Sequence, residues 1–406
     1  MRLDFFLFFL IFSFSFESYS NENDLPFNEK SINFIVPPDV LKDFSKGSDQ
    51  DKKKFCSAKP NSVRLVESYG FGNKEVPKLI KGFNSRMDNY KEVPFAEETG
   101  LFILRFSEVI TDAWAFNDST KKEIALEALH QWAVQGGLLK TKTCTSKGML
   151  DQGCTEWRQS DGQDISDIKD FSAVQMWVMK LAYGYYFALA EFKPDDSRHK
   201  IIQSWIGEFL NRNKRAKDVH FGLDHSWFYP AIFNSIRLKE NPKHLVAKLL
   251  NELKNQVNDD GSMKNRTTRG NKALWYHHDA MKESMITIEI ARTMNVVIPS
   301  ELEAKISKAG QVFINGYSDP SSLDQWAKEA HNAVFEPGKQ DFNNRLNDMP
   351  NGNSWFYIFS YRNRNDPLTF TLDELIMQNS NQAVKDGEIG IGLGCIYAVA
   401  KGKRSL

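Results

Sequence analysis

Cysteine is scarce in this chain, with four in 406 residues, and no two fall in a Cys-x-x-Cys pair. That argues against a zinc ribbon or a thioredoxin-like redox site. An excess of one charge is missing too: 52 basic residues balance 52 acidic ones. No global field therefore draws the protein to nucleic acid, and any anionic ligand must be held by local charge. Alternating Val- and Ile-rich runs are almost absent, which excludes a sheet-dominated fold. Beyond the N-terminus no apolar run approaches the ~20 residues that a membrane-spanning helix needs. No internal repeat is strong enough to establish a solenoid or toroid from periodicity alone.

What is present begins with an apolar leader. Arg2 supplies a small positive charge, and Phe5 to Phe16 is almost wholly apolar. Ser18-Tyr19-Ser20 offers small residues where a signal peptidase reads. Asp4 is an unusual charge there. The pattern predicts a secretory signal over 1–20, cleaved before Asn21. The mature protein is then exported, periplasmic or secreted, without stable membrane association. Export permits disulfides. Cys144 and Cys154 flank a Gly- and Ser-containing loop and are the expected pair, while a bridge between Cys56 and Cys395 is left open. Residues 21–55 are polar, with Asn21-Glu-Asn-Asp24 and Asp49-Gln-Asp-Lys-Lys-Lys54, and read as a loose, partly disordered lead-in.

From residue 56 the pattern is helical. Thr120-x-x-Glu123 predicts a capped helix start, with Gly136-Gly137 at the end. Ile168 to Phe192 reads as a long aromatic-rich helix. Ile201, Ile202, Trp205, Ile206, Phe209 and Leu210 share one face at 3.6 spacing. Pro242 suits a first turn, and that helix is predicted to stop at Asp259-Asp260-Gly261. Met281 to Met294 continues helical, and Ser300-x-x-Glu303 and Thr371-x-x-Glu374 read as two further capping boxes. No linker divides the chain, so 56–406 is expected to be one all-α domain.

Two segments carry chemistry. One is Leu223-Asp-His-Ser-Trp-Phe228. The other runs Asp260-Gly-Ser-Met-Lys-Asn-Arg-Thr-Thr-Arg-Gly-Asn-Lys-Ala-Leu-Trp-Tyr-His-His-Asp279. Together they supply a cation (Arg269), an imidazole (His225) and a phenol (Tyr276). That set suits removal of a proton next to a carboxylate. The cation and imidazole neutralise the carboxylate, and the phenol moves the proton. A cation beside a phenol stabilises the phenolate it must form.

Both segments resemble the alginate lyases of the α/α-toroid type, the poly-mannuronate lyases of polysaccharide lyase family five. The second segment keeps that family's Arg269-Gly270, Ala273-Leu274 and Tyr276-His277. The first keeps His225-Ser226 but has Asp224 where the family has Asn. Trp132 with the following Ala and Gly resembles a helix end of the family. Trp355 to Arg362 resembles its C-terminal Trp-x-x-x-Tyr-x-x-Arg, with Phe359 in place of Tyr. The likeness spans most of 56–365. It implies an (α/α) toroid, an incomplete α/α barrel, acting as a lyase on a β-1,4-linked uronan, foremost mannuronate-rich alginate. It implies β-elimination without metal or other cofactor and catalytic roles for Tyr276, His225, Arg269 and Asp224. The partner is an anionic polysaccharide, and a monomer is expected.

The resemblance also suggests substrate contacts. Tyr69, in Tyr69-Gly70-Phe71-Gly72-Asn73, falls where the family has a mobile loop over its cleft. Trp177 falls on a cleft-lining helix, His277 on a family position, and Arg362 on the C-terminal Arg that could hold a remote carboxylate. Each has a plainer reading as core or surface. His277-His278-Asp279 invites a metal, but consecutive helical residues point in different directions, so none is expected. Gly390-Ile-Gly-Leu-Gly394 lacks the βαβ unit of a dinucleotide loop. Arg212-Asn-Lys-Arg-Ala-Lys217 reads as a solvated basic run. An ionised Asp224 would repel a uronate carboxylate at close range. Three alternatives therefore stand: a lyase on glucuronan or another uronan, an α/α-toroid glycoside hydrolase using Asp224 with Asp260 or Asp279, and a non-catalytic uronan-binding protein.

Overall fold

Helix builds the whole frame. The computed structural model describes residues 31–80, 96–141, 165–211, 225–328, 339–340, 353–378 and 389–402. The leader, Cys144, Cys154, Asp224 and the basic run from Arg212 lie outside them. Among the described residues there are no strands, only one isolated antiparallel bridge between Val257 and Met263. None of these helices is long and apolar enough to cross a membrane.

The helices alternate between an inner and an outer ring. The outer members are α3 (Pro60–Gly70), α5 (Ser119–Val134), α7 (Arg198–Leu210), α9 (Lys243–Gln256), α11 (Ser300–Ser318) and α14 (Pro367–Gln378). The inner members are α4 (Ala96–Ala115), α6 (Ile165–Ala188), α8 (His225–Arg237), α10 (Ala273–Thr293), α13 (Ser354–Arg362) and α15 (Leu393–Gly402). Around the inner ring α4 packs on α6, α6 on α8, α10 on α13 and α13 on α15. Tyr229 of α8 joins α10 by donating its hydroxyl to the Glu283 carbonyl at 3.1 Å. This is an α/α toroid.

Burial follows ring position. Outer α9 buries one stripe, Leu245, Val246, Leu249, Leu250 and Leu253, at helical spacing. Inner α13 is buried from Ser354 through Tyr361, and inner α15 from Leu393 through Ala400, because helices cover them on every side. Inner α10 is nearly as buried, yet it carries Glu283, Lys282 and Glu289. Buried charges need partners, and these have them.

The ring closes where its two ends meet. Short α2 (Asp49–Cys56) packs against α15 and α4. Cys56 and Cys395 are disulfide-bonded with Cα atoms 5.1 Å apart. A bridge over 339 residues of chain restricts the unfolded state strongly. Gly392 donates its amide to Thr111 Oγ1 at 2.7 Å, tying the approach to α15 onto α4. Gly390 has φ +94°, and a Cβ there would lie 1.9 Å from the Lys180 carbonyl, so only glycine fits. The glycine run is thus a close-packing device.

The structure corrects several expectations. The lead-in is not loose over 31–55: α1 (Pro38–Ser45) and α2 form there, and Phe34, Ile35, Val36 and Val40 are wholly buried. A polar average hid this short apolar cluster. Capping was misplaced. Asp118, not Thr120, caps α5 by accepting from the Thr120 and Lys121 amides. Thr371 lies inside α14, and the start of α11 has no side-chain cap. Helix α9 ends at Gln256, because Val257 turns extended to pair with Met263.

Candidate functional site

The site is built on the connection from α9 into α10. Asp260 shapes it, accepting from the Ser262 amide at 2.9 Å and its hydroxyl at 2.7 Å, while Gly261 takes φ +87°. Trp326 Nε1, on short α12 (Asp324–Ala327), donates to the other Asp260 oxygen at 3.1 Å. Next, Thr267 Oγ1 accepts from the Met263 amide at 2.7 Å. A short 3₁₀ turn, Gly270–Lys272, then leads into α10. Gln340 braces that turn, accepting from the Leu274 amide at 3.0 Å and donating to the Gly270 carbonyl at 2.9 Å.

This folding lays Arg269 over Tyr276. The guanidinium carbon is 3.9 Å from the ring centroid, and Nε donates to the Asn265 carbonyl at 2.5 Å. Both side chains are half-buried. Burial first, and then the nearby Arg266, hold the Arg269 guanidinium below its ordinary pKa, while Tyr276 and Asp279 act the other way. Trp275 meets the edge of Tyr276 with centroids 4.5 Å apart, which fixes the ring.

The three residues after Tyr276 diverge. His277 is fully buried, with Nδ1 2.9 Å from Thr267 Oγ1 and Nε2 2.8 Å from the Ala309 carbonyl. Burial holds its pKa down to about 4, so it is neutral. It staples the loop to α10 and α11, and the expected substrate contact does not fit this placement. His278 Nδ1 accepts from Trp355 Nε1 at 3.1 Å. Asp279 faces Lys282 at 2.7 Å and Arg266 at 3.6 Å.

The remaining candidates divide. His225 opens α8, and the bond from Tyr229 one turn later packs that helix against α10. Trp177 is half-buried on inner α6, packed against the core. Tyr69 is turned into the core. It is 1% exposed, its hydroxyl donates to Glu98 at 2.9 Å, and its ring lies among Phe102 and Trp132. Burial, then Glu98, pushes its pKa well up. Arg362 is likewise engaged inside the protein, with Nη2 2.6 Å from Glu289 and Nη1 2.5 Å from Asp39. Arg266, Lys282 and Glu283 went unremarked in the sequence. The i, i+3, i+7 spacing from Tyr276 through Asp279 to Glu283 was the available signal.

The helices thus form an α/α toroid that carries a stacked arginine and tyrosine at the head of an inner helix. A family model described as alginate lyase matches residues 107–323, more than half of the chain. The chain belongs to the alginate lyase family and is a polysaccharide lyase. Among solved structures, alginate lyase A1-III from Sphingomonas species A1 is 13% identical, with TM-score 0.52, covering 90% of this chain and 95% of that one. A histidine-to-alanine variant of it complexed with tetrasaccharide is 13% identical with TM-score 0.51, covering 91% and 94%. A tyrosine-to-phenylalanine variant, also with tetrasaccharide, is 14% identical with TM-score 0.52, covering 90% and 94%. At such identity the likeness is one of fold. No match to a curated protein sequence was found.

Proposed function

We propose that this protein is exported and cleaves a β-1,4-linked uronan, mannuronate-rich alginate foremost, by β-elimination without a metal. The observation that carries this is the Arg269 guanidinium stacked 3.9 Å from the Tyr276 ring at the head of α10. Arg269 and His225 neutralise the uronate carboxylate, making the neighbouring C5 proton removable. Tyr276 as phenolate takes that proton, and the electron pair forms the C4–C5 double bond. The C4–O bond breaks, and the Tyr276 phenol returns its proton to the departing oxygen. In mannuronate both groups lie on one face of the ring, so one residue serves both steps. The hydrolase alternative does not fit a chain of the alginate lyase family. Asp260 is engaged in its turn and with Trp326, and Asp279 is paired with Lys282 and Arg266.

The test is a panel of purified uronans scored for ultraviolet absorbance of the unsaturated product, run with wild type and Tyr276→Phe. Wild type should give product on mannuronate-rich alginate. Tyr276→Phe keeps the ring and should lose about 10³-fold in turnover, the scale of positioned proton transfer. Substantial elimination by the Phe variant would reject the proton-carrier role, and saturated products would point to hydrolysis.

A further inference from the structure

The helix that carries Tyr276 places a charged cluster beside it. Asp279 and Glu283 follow at i+3 and i+7, on the same face. Glu283 and Lys282 are only 3% and 6% exposed. Arg266, three residues before Arg269 in the loop, reaches both carboxylates. Its guanidinium lies 3.1 Å from Glu283 and 3.6 Å from Asp279. Lys282 takes the other Asp279 oxygen at 2.7 Å. Asp279 also acts through space to favour the Arg269 cation, which places the two groups within each other's field.

We propose that Arg266 is a positioning residue. By occupying Asp279 and Glu283 it keeps those carboxylates from drawing Arg269 off the Tyr276 ring. This inference rests on the roles given to Arg269 and Tyr276 above. The stack of a guanidinium on an aromatic face is weaker than a charge-assisted hydrogen bond to a carboxylate. A carboxylate relieved of Arg266 would therefore compete for Arg269, and an Arg269 turned toward Asp279 is lost to the substrate.

The test is a double-mutant cycle on mannuronate-rich alginate, following unsaturated product and the thermal unfolding of each protein. Arg266→Ala should lower kcat/KM by about tenfold or more. Made in an Asp279→Asn/Glu283→Gln background, the same change should cost less than about threefold, because both competing carboxylates are then neutral. A merely structural ion pair would make that carboxylate background alone as costly as Arg266→Ala, with no recovery when the two are combined, and this result would overturn the proposal. So would an Arg266→Ala protein as active as wild type. If Arg266→Ala does not fold, Arg266→Met, which fills the space and donates to neither carboxylate, runs the same cycle. Wild-type protein that gives no unsaturated product from any uronan would overturn the uronan reading itself. Wild-type turnover with equal losses in both backgrounds overturns this inference alone.

Discussion

Arg269 lies against the Tyr276 ring with its cation disfavoured by burial and by Arg266, whereas Arg362 is clamped between Glu289 and Asp39. Burial opposes the Arg362 cation as well, but Glu289 and then its other partners raise its pKa above the ordinary value. Tyr397 donates to the same Glu289, and Arg292 pairs with it at 2.6 Å. The charge of Arg362 is thus used inside the protein, where it joins α13 and α10 to α1 at the chain's start. The lesson is that a buried cation is defined by its neighbours. Carboxylates turn one arginine into a clasp, and the other packs on an aromatic face beside a second cation.

The comparison breaks most readily at Arg269. Arg269→Ala should reduce kcat/KM on alginate by about 10²–10³-fold, the range for losing one group that stabilises developing charge. Its unfolding midpoint should stay near wild type. Steady-state kinetics with a urea melt checks both, and a variant that keeps its turnover would end the distinction. Arg362→Ala should do the reverse. Stability should fall by about 4 kcal/mol, because the buried Glu289 loses a partner, with little change in the turnover of folded protein. A loss of turnover matching that of Arg269→Ala, in a protein still folded, would place Arg362 at the substrate after all.

A smaller effect sharpens the contrast between Tyr276 and the residue beside it. His277 has a folded pKa of about 4 against an unfolded value near 6.5. Between those values the unfolded chain binds more protons than the folded one, so unfolding free energy rises with pH across that window. Its contribution is whole above about pH 6.5 and is lost as pH falls toward 4, amounting to about 3 kcal/mol. Urea unfolding across this range should show a shallower pH slope in His277→Gln than in wild type. Equal slopes would remove His277 from its buried, neutral place.

The all-helical character was legible because helical spacing is a local property, as in the Arg198–Leu210 stripe. The Arg269–Tyr276 pair was legible because both residues sit in one short segment. Tyr69, His277 and Arg362 were not. Their motif positions are the same whether the side chain meets a ligand or the core, and only Glu98, Thr267 and Glu289, brought from elsewhere, separate the two cases. The ordered lead-in was missed because its few apolar residues are outnumbered by charge in any local average.

By itself the sequence determined the helices, the charge balance and the grouping of a cation and a phenol seven residues apart, all matters of near neighbours. Tertiary structure alone decided that Cys56 meets Cys395, that Arg362 is claimed by Glu289 and Asp39, and that Arg266 pairs with Asp279 and Glu283. Partners come from distant positions once the ring has closed. The pKa and availability of a buried group depend on the nearest charges in space, whatever their separation along the chain.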